Sequence, residues 1–268
     1  MMVPHMYWSE KEDCQNLNIW TPSIRDGRKR PVMVWLHGGG FSAGSSIEQL
    51  AYDGENLSRA GDVVVVSVNH RLNVLGYLDL SPFGEKYQDS ANAGNLDLIA
   101  ALEWIRDNIE GFGGDPENVT LFGQSGGGVK VWSLLQMPEA DGLFHKGIIE
   151  SGVVDPDLLG DIEDGNGREI VKAMLAELGL EEKDVDQLET LPYDQLAQAY
   201  ENAAPKVAQK GEYVGNHPHK NQSYFGDAIK HGFREETKKI PLLIGTVLGE
   251  FDFGPAISGK YEFTRKEV

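Results

Sequence analysis

Cysteine is nearly absent from this sequence, since Cys14 is the only one among 268 residues. A disulfide within the chain is therefore impossible, and a zinc site or redox pair built on cysteines is excluded with it. No apolar run approaches the roughly 18 residues of a membrane-spanning helix. Residues 1–8 lack the basic start and apolar core of a signal peptide. The predicted location is a reducing compartment, the cytoplasm.

Basic residues are also scarce, with 24 Lys and Arg against 42 Asp and Glu and a formal net charge of −18. Phosphate backbones and anionic surfaces are bound through clustered Lys and Arg. Neither nucleic acid nor a membrane is therefore a predicted partner. The hydrophobic content of 40% is that of a globular protein.

The strongest motif is a glycine run centred on a serine. Gly123-Gln124-Ser125-Gly126-Gly127 follows the apolar run 119–122 and precedes a predicted helix at 129–137. In a G-x-S-x-G turn between a strand and a helix, the serine has a strained backbone and an exposed hydroxyl. A side chain at 123 or 127 would clash where the strand folds back into the helix. Ser125 is the predicted nucleophile.

A second glycine run, His37-Gly38-Gly39-Gly40, follows a predicted buried strand at 31–36. Glycines leave backbone N–H groups uncovered, and such groups can stabilise a developing oxyanion. The alternatives are a plain glycine turn and a phosphate-binding loop. A P-loop would end in Gly-Lys-Ser/Thr, whereas Phe41 and Ser42 follow here. The N–H groups of Gly39, Gly40 and Gly126 are therefore the predicted oxyanion hole.

These motifs and their surroundings resemble the type B carboxylesterases, the α/β-hydrolase family that includes bacterial para-nitrobenzyl esterases and the cholinesterases. The resemblance is dense over about residues 10–155 and looser over 220–255. One departure is the elbow itself, because many relatives carry Gly-Glu-Ser-Ala-Gly where this chain has Gly-Gln-Ser-Gly-Gly. Gly126 still supplies the N–H after the nucleophile. The matching stretches are 12–22, 34–44, 68–76, 101–109, 112–116, 118–128, 142–146 and 149–152.

The resemblance implies an α/β-hydrolase fold, a mostly parallel sheet flanked by helices, with the N- and C-terminal parts of the full fold missing. It implies hydrolysis of a small-molecule carboxylic ester through an acyl-enzyme on Ser125, with no metal or cofactor. The family's acid, in a run of the form I-G-x-x-x-x-E, falls on Glu250. An ordinary loop glutamate is the alternative for Glu250, and Asp252 is a weaker substitute for the acid.

The family's histidine base has no counterpart here. Triad members in this fold occur in the order serine, acid, histidine, and no histidine follows His231. Besides an esterase that is inactive alone, two alternatives stay open: a non-catalytic binding module and an inactive fragment. Exposed sheet edges would favour self-association or a complementing chain. The seven histidines are His5, His37, His70, His145, His217, His219 and His231.

The order of elements predicts one partial α/β-hydrolase domain over residues 1–268. Short apolar runs predict strands at 32–37, 63–68, 119–122, 147–150 and 242–247. Leu98, Leu102, Ile105 and Ile109 mark one face of a helix. Residues 153–235 are predicted to form a helical, cap-like subregion. Arg71 is expected to pair with Glu12 or Asp13.

Overall fold

The computed structural model describes residues 11–153 and 165–250. Six strands form one sheet in the order β1-β3-β2-β4-β5-β6. β1 is antiparallel to β3, and every other neighbouring pair is parallel. The predicted mostly parallel sheet is therefore confirmed. The strands are β1 (Asn16–Trp20), β2 (Arg30–Leu36), β3 (Val64–Asn69), β4 (Gly114–Gln124), β5 (Lys146–Glu150) and β6 (Leu242–Gly245).

Helices cover the sheet and explain its apolar strands. Along β3, Val64, Val66 and Val68 are at most 2% exposed and belong to the main hydrophobic core. Strands covered on both faces have no polar face and are apolar throughout. The helices are α1 (Glu55–Gly61), α2 (Asn73–Tyr77), α3 (Ala93–Asn108), α4 (Gly126–Leu134), α5 (Arg168–Glu177), α6 (Tyr193–Ala208) and α7 (Ala228–His231).

Helix α3 packs on the sheet through the face that its sequence predicts. Leu98, Leu102 and Ile105, and Ile109 directly after the helix, are all buried in the main core. The i, i+3, i+4 spacing places these side chains on one side of a helix. The predicted helix and its buried face are therefore confirmed.

A second hydrophobic cluster lies outside the sheet and joins α5 to α6. Ile170 and Met174 of α5 are fully buried against Ala203 of α6, and the cluster extends to Val74 of α2. A 3-10 segment, Glu182–Glu189, adds Val185 and Leu188. The sequence between β5 and α5 is acidic over 155–164, and this stretch lies outside the described residues.

One predicted ion pair is wrong. Arg71 pairs with Asp97, with Nη2 at 2.7 Å from Oδ1 and Nε at 2.9 Å from Oδ2. Glu12 instead accepts a hydrogen bond from the Tyr193 N–H. Asp97 lies on α3 and reaches Arg71 after β3, a contact between elements that local sequence does not reveal. No helix of the described residues is long and apolar enough to cross a membrane.

The parallel register gathers four strand ends at one rim of the sheet. Leu36 of β2 pairs with Gly123, Gln124 of β4 with Glu150, and Glu150 of β5 with Gly245. The loops that leave these carboxyl ends therefore start side by side. Crevices at this rim are where open α/β sheets bind ligands.

Candidate active site

Ser125 occupies a sharp turn between β4 and α4. Its φ of 55° and ψ of −126° are unusual for a residue with a side chain. The Ser125 N–H donates to the Glu150 carbonyl at 2.8 Å, while the Ser125 carbonyl accepts from Val129 N–H at 3.0 Å. The first bond ties the turn to β5 and the second starts the helix. This is the predicted strand-turn-helix geometry.

Glycine is required on both sides of this turn. A Cβ placed on Gly127 would lie 1.9 Å from the Leu36 carbonyl oxygen. A Cβ on Gly123 would lie 2.5 Å from the backbone carbon of Gly127. Both distances are far below any real contact, so the expected clash at 123 and 127 is confirmed.

The second glycine run packs directly against the elbow. A Cβ on Gly38 would lie 3.7 Å from Cβ of Ser125, and a Cβ on Gly126 would lie 2.3 Å from the Gly40 nitrogen. Gly39 and Gly40 have φ of 87° and 62°, a left-handed region that favours glycine. The structure thus brings together Ser125 and the three glycines predicted as donors.

The exposure and hydrogen-bond partners of the predicted donors can be read from the structure. Gly39 and Gly40 are exposed, and within the described residues no backbone carbonyl accepts from their N–H groups. Gly126 is the first residue of α4, where an N–H has no partner inside the helix. Among the described residues, none of the three N–H groups has a backbone acceptor, and Gly126 differs from the other two in being buried.

Glu250 lies at the same rim, in the loop after β6. A cavity of about 470 Å³ is lined by residues from β4, β5 and this loop, among them Gln124, Ser151 and Glu250. The pKa of Glu250 is lowered, first by a hydrogen bond from the Ser151 side chain and then by the Val247 N–H, which lies 2.9 Å from Oε1. Glu250 is therefore an anion near neutral pH. Asp252, its weaker substitute, lies outside the described residues.

Comparison with known proteins identifies this arrangement. A model of the carboxylesterase family matches residues 2–266. The chain belongs to the carboxylesterase family. Its resemblance to type B carboxylesterases is therefore confirmed at the level of the family.

Curated carboxylesterase relatives are bacterial and animal. The chain is 39% identical over 251 residues to the para-nitrobenzyl esterase of Bacillus subtilis (strain 168), covering 90% of this chain and 48% of that protein. It is 48% identical over 153 residues to carboxylesterase 3B of Mus musculus, covering 57% of this chain and 26% of that protein.

Solved structures show the same family relationship. One, described as an esterase from anaerobic Clostridium hathewayi that can hydrolyze aliphatic aromatic polyesters, matches with a TM-score of 0.91 and 56% identity. That match covers 99% of this chain and 52% of the other. The carboxylesterase chain described here thus spans about half the length of these bacterial relatives.

The histidines of this carboxylesterase-family chain are dispersed. His37 and His70 are buried, with ring centroids 5.5 Å apart. Burial lowers the pKa of His37 to about 3 and that of His70 well below its ordinary value. His145 Nδ1 accepts from the Val119 N–H at 3.1 Å. These contacts hold the three rings within the fold.

The remaining histidines belong to other parts of the chain. His217 and His219 pack on the ring of Tyr213, with centroids 5.7 and 4.7 Å away. His231 ends α7. His5 lies outside the described residues. Among the described residues, His37 Nε2 and both ring nitrogens of His70 have no hydrogen-bond partner, so neither ring bonds to Ser125 or Glu250 through these atoms.

Two residues of this region were not predicted as part of a site. Ser151 has φ of 51° and reaches Glu250; nothing in its local sequence distinguishes it from a loop serine. Lys130 is fully buried on α4 and reaches the glycine loop. The signal for Lys130 was present, because it is a lysine within the apolar run 129–135.

Proposed function

We propose that this chain carries the acyl-transfer half of a serine carboxylesterase site. In this proposal Ser125 Oγ attacks the carbonyl carbon of a carboxylic ester, and the N–H groups of Gly39, Gly40 and Gly126 stabilise the resulting oxyanion. The alcohol leaves, and water releases the acid from the acyl-enzyme. The observation that carries the proposal is the packing of the exposed glycine loop against the elbow of Ser125.

The proton of Ser125 needs an acceptor in the first step and returns to the alcohol as it leaves. A histidine serves this purpose in serine hydrolases, with an acid that holds its tautomer. We assign the role of the acid to Glu250. Its carboxylate lies at the rim that Ser125 shares, and its lowered pKa keeps it charged.

We further propose that the histidine is delivered by another chain, or another copy, that docks at β6. Leu243 and Ile244 of β6 are 67% and 46% exposed, and on the side away from β5 no described strand pairs with β6. A strand that joined this edge in parallel would end at the rim, next to Glu250. Without a base, a related hydrolase site loses about 10⁶ in rate but keeps about 10³–10⁴ over water from the oxyanion hole and binding, so we expect the chain alone to be acylated slowly, over long incubation with excess reagent.

The nucleophile is tested by acylation rather than by turnover alone. We would incubate the chain and Ser125→Ala with a p-nitrophenyl ester of a short acid and with a fluorophosphonate, and measure both p-nitrophenol release and intact mass. The matched control is Ser81→Ala, which changes an exposed serine outside the site. A mass adduct present in the wild-type chain and in Ser81→Ala but absent from Ser125→Ala is expected. Equal labelling of all three chains would refute the proposal.

The docking of a further strand is tested by light scattering. We expect the chain to self-associate, and Leu243→Lys with Ile244→Lys to reduce that association because charge protects an open edge. A monomer at high concentration would argue against it.

The alternative is a non-catalytic binding module on the same fold. The intact serine and glycines favour the esterase over this module. Ligand binding that is unchanged in Ser125→Ala, with no acylation in either chain, would decide for the module.

We propose small carboxylic esters as substrates. The relative from Clostridium hathewayi is described as hydrolysing aliphatic aromatic polyesters, so a soluble aliphatic–aromatic ester belongs in the first substrate set. We also propose a cytoplasmic location, which rests on the single cysteine.

A further inference from the structure

Lys130 is a charged side chain in an apolar place. It lies on α4 with a relative exposure of 0%, between neighbours that are mostly buried and apolar. Lysine is almost never fully buried unless it has a partner. Burial lowers the pKa of Lys130 from its ordinary value to about 7.

The partner is the backbone of the glycine loop. Lys130 Nζ donates to the His37 carbonyl at 2.9 Å, which belongs to the peptide bond that enters the loop. The next carbonyl, of Gly38, lies 2.8 Å from His37 Nδ1; because a carbonyl only accepts, Nδ1 carries the proton. The third, of Gly39, accepts from the N–H groups of Ser42 and Ala43.

Three successive carbonyls are therefore held from within the fold. In a trans peptide the N–H points opposite to the C=O, so anchoring the carbonyls also fixes the directions of the following N–H groups. Those of Gly39 and Gly40 then lie on the exposed side of the loop. Gly40 nitrogen is in contact with the elbow at Gly126.

We propose that Lys130 is a positioning residue for the oxyanion hole: by holding the His37 carbonyl inside the fold, it sets the first peptide plane of the glycine loop beside Ser125. This inference rests on the proposed function for its catalytic meaning, and on the geometry alone for the anchoring itself. The link also joins α4, which directly follows Ser125, to the loop that carries the proposed donors.

Lys130 is the only group in this set of neighbours whose pKa lies near neutral pH. His37 and His70 face it from the ends of β2 and β3, and their lowered pKa values keep both rings neutral. Glu48, whose charge raises the pKa of Lys130, acts from the loop after the glycine run. Arg71 and Tyr77 lie beyond His70; the pKa of each is raised, so neither titrates in this range.

The first test is a pH titration followed by NMR. The backbone amide of Gly38 shares its peptide group with the His37 carbonyl, so its ¹H–¹⁵N shifts report the charge on Lys130. Between pH 6 and 9 we expect a single transition centred near pH 7. The amide of Gly142, whose Cβ position is open, serves as the reference. Gly38 shifts that are the same in Lys130→Met as in the wild-type chain would overturn the proposal.

The second test compares variants by hydrogen exchange and NMR. Lys130→Met keeps the length of the side chain and removes the donor; Lys130→Arg keeps the charge. The matched control is Ser133→Ala, which removes another buried polar group of α4 that donates to the Lys130 carbonyl. We expect faster exchange over residues 38–41 and loss of the Gly38 transition only in Lys130→Met. Unchanged exchange in Lys130→Met, or equal effects in Ser133→Ala, would refute anchoring by Lys130.

The acylation rates of the Lys130 variants test whether the anchoring affects the proposed reaction. Loss of one oxyanion donor costs about 10²–10³ in kcat, and a displaced donor is expected to cost about tenfold, with KM little changed and recovery in Lys130→Arg. If Ser125→Ala acylates like the wild-type chain, the proposed function fails while hydrogen exchange over residues 38–41 in Lys130→Met still decides the anchoring. If Ser125 is required but Lys130→Met acylates normally, the inference alone fails.

Discussion

Replacing Gly127 by alanine should force the elbow away from β2. The new Cβ would lie 1.9 Å from the Leu36 oxygen and 2.8 Å from the Leu36 carbonyl carbon. A carbon and a carbonyl oxygen approach to about 3.3 Å at closest, so α4 and the end of β2 must separate by about 1.4 Å. Both partners are backbone and cannot turn aside as a side chain would.

The cost has two parts. Overpacking of this kind lowers the free energy of unfolding by about 1–3 kcal/mol. The same shift moves Ser125 relative to Gly39 and Gly40, and a displacement of about 1 Å in a site costs on the order of 10² in rate. Gly127→Ala is therefore expected to unfold earlier and to react with fluorophosphonate about a hundredfold more slowly.

Urea unfolding followed by tryptophan fluorescence is a suitable assay, because Trp35 and Trp132 are 9% and 7% exposed and belong to β2 and α4. The matched control is Gly111→Ala, where no atom lies within 4 Å of the added carbon; its stability should change by less than about 0.5 kcal/mol. Equal unfolding midpoints and equal labelling rates for the two variants would refute the steric reasoning.

Three further predictions use the same kinds of measurement. Asn95→Ala should lower the free energy of unfolding by about 1–3 kcal/mol, because the buried Tyr77 hydroxyl loses its acceptor at 3.1 Å; Asn108→Ala, at an exposed site, is the control in the urea assay. Ser151→Ala should raise the pKa of Glu250 towards its ordinary value in a ¹³C NMR titration of the carboxyl. Because the pKa of Glu250 is lower in the folded chain than in the unfolded chain, Glu250 stabilises the fold above its unfolded pKa. This stabilisation is lost as the pH falls through the folded pKa. An unchanged titration in Ser151→Ala would contradict the Ser151 bond. Met174→Ala, at a fully buried position of the second cluster, should cost about 2–5 kcal/mol in a single unfolding transition; a separate transition would show that this cluster unfolds independently.

The parallel strands and α3 were predictable because their signals are local. Continuous apolar runs mark strands that are covered on both faces, and the spacing of Leu98, Leu102 and Ile105 marks one helical face. β1 was missed: Leu17 and Ile19 alternate with Asn16 and Asn18, which is the pattern of a half-exposed strand. β4 also starts earlier than predicted, at Gly114, because pairing of Gly114 with Arg30 extends the strand through a run that looks like a turn.

The candidate site likewise has features that local sequence predicts and contacts that it does not. The positions of Ser125 and the glycines follow from short motifs whose backbone geometry is set within a few residues. The contacts of Ser151 with Glu250, and of Lys130 with His37, join segments 99 and 93 residues apart. No spacing rule reaches across such distances, so only the folded chain reveals these partners.

The parallel sheet also places the candidate site and the Lys146 side chain at opposite rims. The glycine loop, the elbow and the Glu250 loop all leave one rim, whereas Lys146 begins β5 at the other and is exposed. A fluorophore or surface linker attached selectively at position 146, and not at the chain's other exposed lysines, would leave the surroundings of Ser125 free. The chain could thus be immobilised in one orientation, with Ser125 and the glycine loop facing the solution.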